Sequence, residues 1–334
     1  MSKRYDLEHI QVQVTWEEFL PTGKEFPPEK AVLFLPGWPL KEAPAKSMRR
    51  IGEEFANNFG ARTYLIYTQS KQIVTHPMYH HAQAVCKFLA ELAEKGIKSI
   101  ILSGLSQGGL KAIDTVVRLQ EMELGIRVEG LVLINSAGLN DIDEWTLLWR
   151  QFVDLTVKIF LIILRESARE PSLRKKITSL RENMIVLLRG AGDFFFSIRV
   201  DARPSLRTFF SRFKNEVVET ATRSPYLDQL SVPIVIIQGT KDRCFDTDRI
   251  LTQAKAQTGT SEVFDARVKS PPVFSKAAKK QNPVEDLFPR SPYVRLVRGQ
   301  KFGNHLLPLF QPGAVAQASL YVLGDSKEVL DLPF

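Results

Sequence analysis

Ser99-Ile100-Ile101-Leu102-Ser103-Gly104-Leu105-Ser106-Gln107-Gly108-Gly109 is the stretch whose reading decides the fold. It opens with a continuous apolar run, passes through Gly-x-Ser-x-Gly, and leads into a segment with Leu110, Ile113, Val117 and Leu119 at helical spacing. Those patterns predict a buried strand, a sharp turn and a helix over 107–122. The small residues two before and two after Ser106 let strand and helix approach each other. The bare five-residue pattern arises by chance in glycine-containing loops. A strand before it and a helix after it make it a nucleophile elbow, which would present Ser106 at the carboxyl end of a sheet.

Working outward, apolar runs like the one before Ser106 recur at 31–35, 62–67, 129–135, 232–238 and 293–297. Unbroken runs of this length fit central parallel strands covered on both faces. Residues 9–15 alternate apolar and polar, as a half-buried edge strand does. A helix is predicted over 79–94, with Val85, Phe88, Leu89 and Leu92 on its apolar face. Strands alternating with helices imply an α/β chain with a doubly wound, mostly parallel sheet.

Two segments interrupt that alternation. Residues 139–230 are too long for a connection and mostly helical in pattern, so they read as a helical cap inserted after the sixth strand, with 1–138 and 231–334 as the core. Residues 264–292 hold Pro271, Pro272, Pro283, Pro289 and Pro292 beside Lys276, Lys279 and Lys280, and read as an inserted loop.

A serine hydroxyl needs a base within hydrogen-bond reach, commonly a histidine oriented by a carboxylate. His9, His76, His80 and His81 all precede Ser106, whereas His305, in Gly303-Asn304-His305, follows the last strand-like run. Chain order favours His305. The acid belongs in a loop after a strand between the two, where Gly239-Thr240-Lys241-Asp242 offers Asp242. Asp246 and Asp248 are neighbouring candidates that also fit as helix caps. An oxyanion needs two backbone donors. The Gln107 N–H is one, and the Trp38 N–H, in the turn Pro36-Gly37-Trp38-Pro39 after the first central strand, is the other, although that turn also reads as a plain turn with a packing aromatic.

On these residues the chain resembles the α/β-hydrolase superfamily over nearly all of its 334 positions, in the branch with a helical cap after the sixth strand. The resemblance rests on Gly104–Gly108, Pro36–Trp38, Gly239–Asp242 and Gly303–His305. It implies an esterase- or lipase-like serine hydrolase working through an acyl-enzyme, with no metal and no organic cofactor. Pro36 stands where many members carry histidine, and the gap between Asp242 and His305 is longer than is usual. A thioesterase or acyltransferase on the same triad is an alternative, and a binding protein on the fold another.

Cap aromatics Trp145, Trp149, Phe152 and Phe160 either line a pocket for an apolar acyl or aromatic ester or pack against the core. The formal charge of +8 favours anionic contacts, including a membrane surface. No nucleic-acid motif accompanies that charge, so nucleic acid is not an expected partner. Cys86 and Cys244 stand alone, without zinc or disulfide spacing. With a polar start at Met1-Ser2-Lys3-Arg4, the chain reads as cytoplasmic.

Overall fold

The computed structural model describes residues 1–7, 10–23, 25–37, 46–70, 76–147, 150, 171–178, 180–181, 214–215, 217–239, 242, 244–245, 250, 260–267, 273–276, 287–299 and 312–323. Ten strands are described: β1 (Ser2–Leu7), β2 (Ile10–Phe19), β3 (Lys30–Leu35), β4 (Arg62–Ser70), β5 (Ser99–Leu105), β6 (Arg127–Ile134), β7 (Ile234–Gly239), β8 (Thr260–Arg267), β9 (Val273–Lys276) and β10 (Tyr293–Gly299). They form one sheet in the order β1-β2-β4-β3-β5-β6-β7-β10-β8-β9. Pairing is parallel from β4 through β8, while β1, β2 and β9 join antiparallel.

The unbroken apolar runs do what two-sided burial requires. Ala31, Leu33 and Leu35 of β3 enter one core while Val32 and Phe34 enter the other. The first core also takes Val85, Phe88 and Leu89 of helix α2 (Pro77–Glu94) and Ile113 and Val116 of α3 (Gln107–Glu121). The second takes Met48, Ile51 and Phe55 of α1 (Lys46–Phe59) and Val315 and Ala318 of α4 (Pro312–Leu323). Phe34, Phe55 and Phe88 are among the largest fully buried side chains, and burial of each contributes about 1.5–3 kcal/mol.

Two expectations need correction. Residues 9–15 do not form the edge, because β1 pairs outside β2 and takes that place. Only Tyr5 and Leu7 of β1 are buried, too few for an apolar pattern to register. The segment 264–292 is not loop throughout: β8 and β9 form a hairpin whose first strand pairs with β10, adding two strands to the sheet. Backbone pairing defines those strands, and the prolines Pro271 and Pro272 fall between them. Helix α1, with Met48, Ile51 and Phe55 at three- and four-residue spacing, completes the alternation between β3 and β4.

Most of 139–230 lies outside the described residues. Where it leaves and rejoins the sheet its two ends are held together. Ser224 N–H donates to the Gly138 carbonyl at 2.8 Å, Ile142 N–H to the Ala221 carbonyl at 2.8 Å, and Arg223 N–H to Asp141 Oδ1 at 2.9 Å. Among the described residues no helix is long and apolar enough to cross a membrane.

Candidate active site

Ser106 joins the end of β5 to the start of α3 with φ 55° and ψ −124°. A non-glycine residue in that region costs on the order of 1–3 kcal/mol and persists only where its surroundings enforce it. They do so here through three backbone hydrogen bonds. Ser106 N–H donates to the Ile134 carbonyl at 3.0 Å, and the Ser106 carbonyl accepts from Gly109 N–H at 2.9 Å and Ala137 N–H at 3.0 Å. The side chain is buried, with 4% of the residue exposed.

The glycines around it are steric requirements. A Cβ on Gly104 would overlap Gly108 and Gly109, and one on Gly108 would overlap the Leu35 carbonyl. The backbones of β3, β5 and α3 therefore meet at van der Waals contact beneath the serine. The end of β3 lies against it: a Cβ on Gly37 would stand 2.8 Å from Ser106 Cβ and 3.4 Å from its Oγ. Trp38, the expected second oxyanion donor, is the next residue and lies outside the described residues.

Gln107 is the first residue of α3, so its N–H is one of the four donors that an α-helix leaves without an intrahelical acceptor. Its side-chain amide donates to Thr220 Oγ1 at 3.1 Å, with both residues buried. The same short segment reaches α2. Glu219 Oε2 accepts from Met78 N–H at 2.8 Å, and Oε1 pairs with His76 Nδ1 at 3.2 Å.

Asp242 lies just past β7 and is 8% exposed. Its N–H donates to the Gly239 carbonyl at 3.0 Å, closing a tight turn. Its carboxylate accepts at both oxygens, Oδ1 from Cys244 N–H at 2.8 Å and Oδ2 from Gln238 Nε2 at 3.2 Å. Asn135, at φ 43°, braces this turn from the end of β6. Its N–H donates to the Ile237 carbonyl at 2.8 Å and its Oδ1 accepts from Gly239 N–H at 2.8 Å.

Nucleophile and acid candidate are thus joined through one strand end. Ile134 accepts from Ser106, and the next residue, Asn135, holds the turn that carries Asp242. In register, Leu105, Ile134 and Ile237 stand side by side on three parallel strands, so Ser106 and Asp242 share the carboxyl edge of the sheet. Asn135 and Gln238 were not among the sequence candidates. The signal that marks them is a polar residue closing an otherwise apolar strand, Leu-Val-Leu-Ile before Asn135 and Ile-Val-Ile-Ile before Gln238.

No protein-family model and no curated protein matches the sequence. Comparison with solved structures does return matches. An enol-lactonase from Burkholderia xenovorans LB400 aligns over 97% of this chain and 100% of its own at a TM-score of 0.52 and 12% identity. The chain has the α/β-hydrolase fold. An esterase from Thermogutta terrifontis aligns over 98% of this chain and 99% of its own, at a TM-score of 0.50 and 17% identity. A hydrolase from Pseudomonas aeruginosa PA01 aligns over 97% and 98%, at 0.52 and 12%.

Within the α/β-hydrolase fold, the remaining candidates divide by what is described. His305 follows β10 in sequence and lies outside the described residues, as do Asp246, Asp248, Trp149, Phe152 and Phe160. Trp145 is 79% exposed and stands at the surface. Of the earlier histidines, His9 lies outside the described residues, while His80 Nδ1 meets Gln83 Oε1 at 3.3 Å and buried His81 meets Thr68 Oγ1 through Nδ1 at 3.1 Å. Burial pushes the Cys86 thiol up to about 12, so it stays protonated and unreactive at neutral pH.

Proposed function

We propose that the chain is a serine hydrolase that cleaves a carboxylic ester with an apolar acyl or aromatic group, with Ser106 as nucleophile, His305 as general base and Asp242 as the acid that orients it. The observation that carries this reading is the strained backbone of Ser106 at the junction of β5 and α3, at φ 55° and ψ −124°. Packing alone does not call for that conformation at a serine, whereas a nucleophile held out of the helix and off the strand does. The buried, doubly hydrogen-bonded carboxylate of Asp242 on the same sheet edge supports the second member. Chain order supports the third.

In the reaction, Ser106 Oγ bonds to the acyl carbon while His305 takes the hydroxyl proton. The tetrahedral oxyanion is held by the N–H groups of Gln107 and Trp38. Collapse breaks the bond to the alcohol oxygen, which leaves with the proton from His305. Water then attacks the acyl-enzyme, giving its proton to His305, and the acid leaves as Ser106 recovers a proton. We assign residues 139–230 as a cap over this site and Trp149, Phe152 and Phe160 as the residues that select the acyl group. Two of the structural neighbours are named an esterase and an enol-lactonase, which accords with chemistry at an acyl–oxygen bond.

Hydrolysis of p-nitrophenyl esters of graded acyl length tests the reading. Turnover is expected, falling by about ten-thousand-fold or more in Ser106→Ala and in His305→Ala. Undiminished turnover in Ser106→Ala would overturn it.

A further inference from the structure

Position 238 is anomalous for its strand. On β7, Ile234 and Ile236 point into the core beneath α2 and α3, Val235 and Ile237 into the opposite core, and every residue of the strand is buried. Alternation puts position 238 on the same face as Ile234 and Ile236. A third isoleucine would continue the pattern. Instead the chain buries a primary amide there with no measurable exposure. Desolvating an amide opposes folding unless its hydrogen bonds are replaced. One replacement is the Asp242 carboxylate: Nε2 donates to its Oδ2 at 3.2 Å.

We infer that Gln238 is a positioning residue for the acid, its amide holding Asp242 Oδ2 while the Cys244 N–H holds Oδ1 at 2.8 Å, so that the carboxylate is fixed in the orientation its histidine requires. This rests on Asp242 serving as the acid in the proposed reaction. With two donors from opposite sides, the plane of the carboxylate is set before the base engages it. Without the Gln238 amide, the carboxylate loses the donor that holds Oδ2. The Gln238 N–H also draws negative charge from Oδ2 and so tempers the field the carboxylate exerts on the base.

Gln238→Met separates this role from packing, because methionine fills nearly the same volume without a donor. A glutamine that only packs would be replaced at no loss of activity. The positioning role gives a different outcome. The thermal midpoint falls modestly, because Asp242 Oδ2 loses a buried donor, kcat for a p-nitrophenyl ester falls at least about tenfold, KM changes less than about twofold, and the acid limb of kcat/KM moves to higher pH. Gln238→Leu provides the same test with a shorter side chain should the methionine not be accommodated.

The double variant Gln238→Met with Asp242→Asn closes the cycle. Its kcat is expected to match Asp242→Asn alone, because in that single variant the Gln238 amide already has no carboxylate to position. Full activity and an unmoved pH profile in the single Gln238 variants, beside a severe loss in Asp242→Asn, would overturn the inference and leave the proposed triad standing. Full activity in Asp242→Asn would instead remove the triad assignment on which the inference rests.

Discussion

At the residue scale, the site is built from positions whose neighbours leave no alternative. Gly108 is the sharpest case, since any side chain there meets the backbone carbonyl of Leu35. Backbone cannot move aside as a flexible side chain can. Gly108→Ala is therefore expected to destabilise by more than about 3 kcal/mol or to prevent folding, as large losses do when a core contact is forced. Urea denaturation checks it, and a loss below about 1 kcal/mol would contradict the packing described here.

Asp114 makes a residue-scale prediction of another kind. It lies buried in α3, and desolvation pushes its carboxyl up to about 7, with Arg118 pulling it down and Glu219 adding to the rise. The folded-state value is above the unfolded one, so the folded chain holds a proton that the unfolded chain gives up. Between about pH 4 and 7 stability thus falls as pH rises, by up to about 1.4 kcal/mol per pH unit. Asp114→Asn removes that dependence. The variant is expected to gain stability over the parent at pH 8 and to lose that advantage toward pH 4, measured by urea denaturation across the range. An advantage of the same size at every pH would contradict it.

At the element scale, α2 begins without a cap of its own. His76 occupies the N-cap position and makes no capping hydrogen bond, and Pro77 follows. The carboxylate that takes the Met78 N–H comes from Glu219, far along the chain. A negative group at a helix N-terminus stabilises both by hydrogen bonding and through the helix dipole. Glu219→Ala is expected to cost about 1 kcal/mol, against little change for substitution of exposed Glu94 at the other end of the helix. Such long-range capping explains why parts of the site were not legible in sequence. The Ser106 turn announces itself locally, by glycine spacing between a strand and a helix pattern. The bonds from Gln107 Nε2 to Thr220 Oγ1 and from Gly239 N–H to Asn135 Oδ1 join residues 113 and 104 positions apart, which only the folded chain brings together.

At the scale of the whole molecule, the central strands were readable because two-sided burial writes an apolar run into each of them. The margins were not. β1 carries two buried residues, and β8 and β9 come from a stretch whose prolines and lysines resemble loop chemistry, so their pairing rather than their composition makes them strands. With β8 in place, β10 is paired on both sides, to β7 and to β8. Replacing 260–286 by a short linker would leave β10 as an open parallel edge. The shortened chain is expected to self-associate on size-exclusion chromatography, since an unpaired edge invites pairing with another chain. A stable monomer with unchanged thermal midpoint would show that the hairpin is dispensable to the sheet.

The proposed chemistry converges on one oxygen atom. A fluorophosphonate probe followed by peptide mass spectrometry reads it directly in the folded protein. The expected result is a single adduct on Ser106, not formed when the protein is heat-denatured before the probe is added, absent in Ser106→Ala and formed much more slowly in Asp242→Asn. An unlabelled Ser106 in folded chain, or an adduct on another serine, would contradict the assignment of Ser106 as the nucleophile.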